Sequence, residues 1–176
     1  GMLKKTMDGL TVYSRDEGIV LRRPDIHDCA PCVVVQPANL QLFWSGGGRG
    51  GDHIFHARSS NGYLWRDTHA LIAPSKPVPP VPADSFHNTD PSVVHLNGRY
   101  YLYYTGTKNG TIDNEIFLAT SSNGKRWTKY SKNNTPAFPA AVIANTTPDG
   151  TYGIGKPSAL CKNNTVYLYY TDMRRG

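Results

Sequence analysis

The sequence of 176 residues predicts an all-β fold built from repeated sheets, and three observations lead to this prediction. The first is a phrase that occurs three times, in which a proline is followed by a short apolar run and then by an aromatic segment that ends in a hydroxyl residue. Fourteen positions separate the proline from the hydroxyl residue in every copy: Pro31 and Ser45, Pro91 and Thr105, Pro157 and Thr171. A fixed internal period of this kind takes precedence over residue-by-residue estimates of structure.

The second observation is a further module that follows the first two copies. Residues 54–62 with Trp65 match residues 116–124 with Trp127, and the third copy stops before its second module. The third observation is composition, since 17 glycines, 13 prolines and 39% hydrophobic residues are typical of a turn-rich globular chain. Two and a half sheet repeats are therefore predicted.

Each repeat reads as a four-stranded antiparallel unit. The aromatic segments 100–105 and 166–171 favour strands, and the turn signals Asn97-Gly98 and Asn163-Asn164 before them predict hairpins. The second module adds a third and a fourth strand. A four-stranded unit that recurs about every 60 residues is the blade of a β-propeller. The predicted divisions are one partial domain over 1–176, with an outer-strand or edge segment (1–25), blades (26–72 and 86–131) and a half blade (152–176).

Composition also limits the partners. Nineteen basic and thirteen acidic residues give a net charge of +6, but the basic residues are scattered, so nucleic acid is not expected as a partner. No apolar run approaches the roughly 20 residues that cross a bilayer, so no membrane association is expected. No signal peptide is visible at residues 2–8, which leaves the localisation open with the cytoplasm favoured.

Cysteine and histidine spacing indicates no redox or metal chemistry. Cys29 and Cys32 have the spacing of a redox motif, but they precede the strand-like run 33–35, and Cys32 takes the repeat position of Ser92 and Ser158. Packing of a small side chain is therefore favoured over a reactive thiol. The histidines lack metal-ligand spacing, so neither a metal nor another cofactor is expected.

Propeller topology predicts where chemistry takes place. The first strand of each blade starts at the end of the sheet to which the second strand returns. The residues before Pro31, Pro91 and Pro157, together with the loops 46–52 and 106–115, are therefore expected around one mouth of a central channel.

The residues that carry this pattern resemble the five-bladed β-propeller glycosidases of glycoside hydrolase families 43, 32 and 62. Residues 90–94 that lead into residues 97–106, and residues 116–124 with Trp127, look like the blade signature of that superfamily, and the resemblance covers about residues 25–172. It implies a five-bladed propeller, of which this chain holds about half. It also implies hydrolysis of glycosidic bonds in an oligo- or polysaccharide.

These enzymes place a carboxylate at the inner end of the first strand in three consecutive blades, as base or nucleophile, as pKa modulator and as general acid. The resemblance assigns catalytic roles to Asp90, in the Asp-Pro position, and to Asp28 or Asp25 upstream of Ala30. The third blade has Lys156 where the acid is expected. Further residues expected to bind substrate at the rim are Lys156, Trp44, His27, Asp52, Glu115 and Asp172.

Structural interpretations stand beside these functional ones. An Asp before a proline often caps a turn, and Trp44 has a position typical of packing inside a blade. Because Lys156 replaces an acid and blades are missing, a non-catalytic carbohydrate-binding or scaffold propeller is the alternative function.

The half blade predicts an open sheet edge, which proteins usually cover. Three explanations are open: the chain is a fragment of a longer reading frame, the segment before Asp25 completes the last blade, or two chains associate. The dimer is the favoured one, because a repeat array needs capped ends and a second copy supplies them.

Overall fold

The computed structural model describes residues 3–7, 10–14, 27–48, 50–135, 137–147 and 150–174. These residues form twelve strands, and there is no helix among them. The strands are β1 (Leu3–Met7), β2 (Leu10–Ser14), β3 (His27–Gln36), β4 (Asn39–Gly48), β5 (Gly51–Ser59), β6 (Arg66–Ile72), β7 (His87–Leu96), β8 (Arg99–Thr107), β9 (Asn114–Ser121), β10 (Thr128–Lys129), β11 (Ile154–Lys162) and β12 (Thr165–Asp172).

Strands β3–β6 form one four-stranded antiparallel sheet in chain order, called blade 1 here, and β7–β10 form a second, blade 2. Strands β11 and β12 form a two-stranded antiparallel sheet, called the half-blade. Strands β1 and β2 pair with each other in a sheet of their own. The prediction of an all-β fold with four-stranded antiparallel blades is confirmed.

The hairpin turns form where the sequence places them. Asn97 and Gly98 have φ values of 50° and 74°, and Asn163 and Asn164 have 50° and 61°. Two successive residues with positive φ give a turn whose twist matches that of the flanking strands, and Asn and Gly tolerate this conformation best. The turns fix the register of β7–β8 and β11–β12, and therefore decide which side chains share a face.

Each repeat interrupts its first strand with a bulge at the residue before proline. The positions are equivalent, and φ is 49° at Ala30, 52° at Asp90 and 51° at Lys156. The register with the second strand shifts at each of them. Proline has no N–H for the ladder, so strands accommodate it at bulges, and a bulge re-aims a side chain. The bulge gives the three pre-proline residues a common backbone geometry.

Adjacent sheets are joined by the hydroxyl residue that ends each repeat phrase. Ser45 Oγ accepts a hydrogen bond from the Asp90 N–H at 2.7 Å, and Thr105 Oγ1 accepts one from the Lys156 N–H at 2.9 Å. The constant fourteen-residue spacing therefore has a structural cause. It places the hydroxyl acceptor of one sheet next to the backbone N–H at the bulge of the next sheet. We call this hydrogen bond the latch.

A second pair of hydrogen bonds joins adjacent sheets just after the bulges of the first strands. Ser92 Oγ accepts from the Ala159 N–H at 2.8 Å, and Cys32 Sγ accepts from the Val93 N–H at 3.4 Å. Cys32 therefore acts in the same way as the serine at its repeat position. Burial raises the pKa of the Cys32 thiol, which opposes thiolate chemistry.

The main hydrophobic core lies between blades 1 and 2. Phe43 of blade 1 and Leu102 and Phe117 of blade 2 are fully buried. The Phe43 ring meets the edge of Trp127 at a centroid distance of 5.9 Å, an arrangement that aromatic pairs favour. Burial of these side chains fixes the position of one blade against the next.

A buried ion pair attaches the linker between the two blades. Asp84 is fully buried, and its Oδ2 lies 2.5 Å from Lys129 Nζ and accepts a hydrogen bond from the Tyr104 hydroxyl at 3.1 Å. Lys129 Nζ also donates to the carbonyl of Ala73 at 2.7 Å. Burial lowers the pKa of Lys129, and Asp84 opposes that shift. Both ends of the linker 73–84 are thus held to blade 2.

Candidate active site at the mouth end of the blades

We call the end of the blades where β3, β7 and β11 begin the mouth end. Cys29 follows Asp28 directly on the first strand of blade 1, and Ser45, which lies opposite Cys29 on β4, accepts the hydrogen bond from the Asp90 N–H. Partial burial raises the pKa of the Cys29 thiol, and repulsion from Asp90, Asp52 and Asp28 adds to the shift in that order. Asp28 and Asp90 were predicted as catalytic residues and Asp52 as a binding residue, so the structure brings three predicted site residues together.

Asp52 links the first strands of the two blades. Its Oδ1 lies 2.8 Å from His27 Nε2 on β3, and its Oδ2 lies 2.9 Å from His87 Nδ1 on β7. The carboxylate is 14% exposed, whereas His27 is 59% exposed. The Oδ1 contact lacks the alignment of a hydrogen bond, whereas His87 Nδ1 accepts a hydrogen bond from the Asp52 N–H at 3.2 Å. Asp52 therefore orients two imidazoles at the rim.

Asp28 is exposed, yet a buried side chain holds it. Its Oδ1 accepts a hydrogen bond from Trp44 Nε1 at 2.6 Å. Trp44 is 2% exposed and stacks on Phe55 at a centroid distance of 5.6 Å. A solvent-facing carboxylate with a fixed orientation is the arrangement that a general base or nucleophile requires. Trp44 was predicted to bind substrate, whereas in the structure its indole N–H is bonded to Asp28.

Asp90 is fixed through its backbone. Its N–H is the donor of the latch to Ser45, and its Oδ2 accepts from the Thr89 hydroxyl at 3.2 Å. The bulge and the latch therefore hold the half-buried Asp90 next to Ser45, the partner of Cys29 on β4.

Two further predicted residues, Lys156 and Asp172, belong to the half-blade. Lys156 occupies the bulge of the half-blade, and its side chain is exposed. Asp172 is ion-paired with Arg174 Nη2 at 2.6 Å. Asp25 lies outside the described residues.

Glu115 is the described carboxylate with a raised pKa. Burial is the main cause, and repulsion from Asp113 adds to it, while the hydrogen bond that Oε1 accepts from the Asn145 N–H at 3.0 Å acts in the opposite direction. Glu115 lies opposite Gly106, which itself lies opposite Asn88 on β7. Two strand spacings of about 4.8 Å put it about 10 Å from the first strand of blade 2.

Cys29 and His87 were not assigned to this site from the sequence. A signal for His87 was present, because His27 and His87 stand four positions before Pro31 and Pro91. Aligning the two copies residue by residue would have shown that both first strands begin with a histidine facing the same rim.

The described ranges contain no group of three His, Cys, Asp or Glu side chains arranged to hold a metal ion. Nor does a helix long and apolar enough to cross a membrane occur in these ranges.

Comparison with solved structures shows which fold this is. The chain is similar to an α-L-arabinofuranosidase from Lactobacillus brevis, with a TM-score of 0.68 and 18% identity over 93% of this chain and 50% of that one. It is similar to an exo-1,5-α-L-arabinanase from a bovine ruminal metagenomic library, with a TM-score of 0.66 and 15% identity over 99% of this chain and 59% of that one. A family 117 glycoside hydrolase from Zobellia galactanivorans matches with a TM-score of 0.58 and 16% identity over 83% and 48% of the two chains.

These matches confirm the predicted resemblance at the level of the fold, which is that of the propeller glycosidases. The chain spans about half the length of the solved structures it matches. No protein-family model and no curated protein matches the sequence.

Proposed function

We propose that this chain supplies the catalytic carboxylates of a glycoside hydrolase built as a five-bladed propeller. The observation that carries the proposal is that contacts tie Asp28, Asp52 and Asp90 to the mouth end of two adjacent blades. Asp52 contacts His27, the neighbour of Asp28 on β3, and the Asp90 N–H is bonded to Ser45, which lies opposite Cys29. Glycosidases hydrolyse their substrates with pairs of carboxyl groups, one acting as acid and the other as base or nucleophile. A cluster of three in a fold shared with glycoside hydrolases supports the same chemistry.

Asp28 is the base or nucleophile in this proposal. It is the exposed member of the cluster, and the Trp44 indole holds its Oδ1. Asp90 is the second carboxylate of the site, and Asp52 holds His27 and His87 for contacts with the sugar hydroxyls.

Glu115 is the described carboxyl group best suited to the general acid, because its raised pKa keeps it protonated to higher pH.

The assay uses aryl glycosides, beginning with an aryl α-L-arabinofuranoside because solved structures of similar fold act on arabinose-containing substrates by name. We expect Asp28→Asn and Glu115→Gln each to lower kcat at least about 100-fold, the usual minimum for loss of a general acid or base. Asp67→Asn is the matched control, since Asp67 is an exposed carboxylate paired with Arg58 away from the cluster.

Turnover by Asp28→Asn at the level of Asp67→Asn would remove Asp28 from the mechanism. Binding of an arabino-oligosaccharide without turnover by the unmodified chain would contradict the enzyme and support the carbohydrate-binding alternative.

The proposed enzyme needs the rest of its ring, and we infer that a second copy of this chain covers the open sheets. The exposed face of the half-blade carries the hydroxyls of Ser158 and Thr171, at the repeat positions that act as acceptors in the two closed joints. The exposed face of β3 carries the N–H groups of Ala30 and Val33, at the repeat positions that act as donors there. The two faces are complementary, so copies associate head to tail.

Light scattering during size-exclusion chromatography tests this association. We expect a mass that rises with concentration, and we expect Tyr169→Glu, in the 61%-exposed centre of the half-blade face, to abolish the rise. Tyr63→Glu is the matched control, because Tyr63 is 50% exposed in a turn of blade 1. A monomeric mass at every concentration would rule out the second copy while leaving the catalytic assignment to the kinetic assay.

A further inference from the structure

A polar cavity of about 490 Å³ opens between blades 1 and 2 at the end of the strands opposite the carboxylate cluster. Blade 1 contributes Gln41, His56 and Arg58, and blade 2 contributes Tyr100 and Lys125. A volume within about 300–1,000 Å³ is usual for sites that hold a small molecule. Both walls belong to complete blades, so this cavity exists whatever covers the open sheets.

A chain of three buried polar side chains forms the floor of the cavity. His56 Nε2 lies 3.2 Å from Gln41 Oε1, and Gln41 Nε2 donates to the Tyr100 hydroxyl at 3.1 Å. These residues are 3%, 7% and 8% exposed for His56, Gln41 and Tyr100. The direction of these hydrogen bonds determines which ring nitrogen of His56 carries the hydrogen.

His56 is neutral at ordinary pH and presents an acceptor. Burial, together with the nearby His69 and Arg58, lowers the pKa of His56 to about 4. Because an amide oxygen can only accept, Nε2 carries the hydrogen, which leaves Nδ1 as an acceptor. Nδ1 is buried and has no hydrogen-bond partner among the described residues. Such an atom needs a donor, and burial without one costs about 1–3 kcal/mol.

The cavity is positively charged. Arg58 and Lys125 border it, and no described Asp or Glu lines it. Asp67 neutralises part of the charge on Arg58, with 2.5 Å between Nη2 and Oδ2. Lys125 forms no ion pair within the described part of the chain, so its charge is available to an anion.

We propose that this cavity binds a small polyhydroxylated carboxylate of the size of a uronic acid monosaccharide. A sugar hydroxyl donates to His56 Nδ1, and the carboxylate pairs with Lys125 and with the outer edge of Arg58. The proposal depends on neither the glycosidase activity nor the second copy.

Calorimetric titration of the full chain with D-glucuronate tests the site, with D-glucose as the uncharged probe. We expect saturable binding of glucuronate, binding of glucose weaker by about tenfold, and an equal loss in Lys125→Gln, because a charge-assisted hydrogen bond is roughly twice as strong as a neutral one. Lys162→Gln, an exposed lysine on β11, is the matched control and should bind like the unmodified chain.

Nitrogen-15 shifts of the His56 ring give a second readout that needs no substitution in the buried chain. We expect the Nδ1 signal to move toward the hydrogen-bonded range on addition of glucuronate, while Nε2 stays fixed. An unchanged Nδ1 signal, equal affinity for glucose and glucuronate, or equal losses in Lys125→Gln and Lys162→Gln would each overturn the proposal.

Discussion

Blade 2 and the half-blade carry the same sequence phrase in opposite surroundings. Tyr104 is fully buried in blade 2, whereas Tyr170, at the same repeat position of the half-blade, is 43% exposed. Thr105 is 3% exposed and accepts the latch from Lys156, whereas Thr171 is exposed. Thr105 is covered by the half-blade that follows it, whereas Tyr104 is covered by Phe117 on β9 and is bonded to Asp84 of the linker. In the described residues the half-blade has two strands, so it offers Tyr170 no equivalent of Phe117.

The opposite end of the array shows the same contrast for aliphatic residues. Val93 on β7 is 7% exposed because blade 1 covers it, whereas Val33 at the equivalent position of β3 is 50% exposed. Both end sheets thus carry side chains of the type that is buried inside. Substitutions at the buried positions should therefore change the stability of a single chain. Substitutions at the exposed positions should change it only where a partner covers them.

The largest effect expected from this contrast is on the two tyrosines. Tyr104→Ala should lower the free energy of unfolding by about 4 kcal/mol, since removal of a buried aromatic side chain costs about 3–5 kcal/mol. It also removes the hydroxyl that donates to Asp84. Tyr170→Ala should cost about 1 kcal/mol or less, because the side chain is already half hydrated. Urea denaturation at high dilution, where a second copy is dissociated, measures both.

The phenylalanine variants refine this measurement if Tyr104→Ala does not fold. Tyr104→Phe removes a buried donor and should cost about 1 kcal/mol, and Tyr170→Phe should be neutral. Equal losses at the two positions would mean that the Tyr170 side chain is buried as deeply in solution as that of Tyr104.

The sequence was sufficient to predict the blades because the repeat encodes them locally. Asn97-Gly98 sets a turn, and the aromatic run after it fills the pleated sheet, so period and propensity point to the same strands. The latch was not predicted, because a hydroxyl at the end of a strand, such as Ser45, gives no sign of which backbone it will meet across the joint.

The candidate site was predicted in part, for a similar reason. Asp28 and Asp90 could be placed at the mouth end from the sequence because their distance from proline is fixed by the first strand; their catalytic roles stay predictions. The bridge from Asp52 to His27 and His87 joins three segments that are distant in sequence, and it depends on how blade 1 sits against blade 2. Local pattern carries no information on such a contact.

The smallest predicted effect concerns the latch itself. Thr105→Val keeps the volume of the side chain but removes the acceptor for the Lys156 N–H, which should lower the free energy of unfolding by about 1 kcal/mol. Thr171→Val should change it by less than about 0.5 kcal/mol, the usual range for an exposed position, since no described residue is bonded to Thr171 Oγ1. Hydrogen exchange at the Lys156 amide gives a direct readout. It should become faster in Thr105→Val and stay unchanged in Thr171→Val, whereas unchanged exchange in both variants would show that the N–H is protected by something other than the latch.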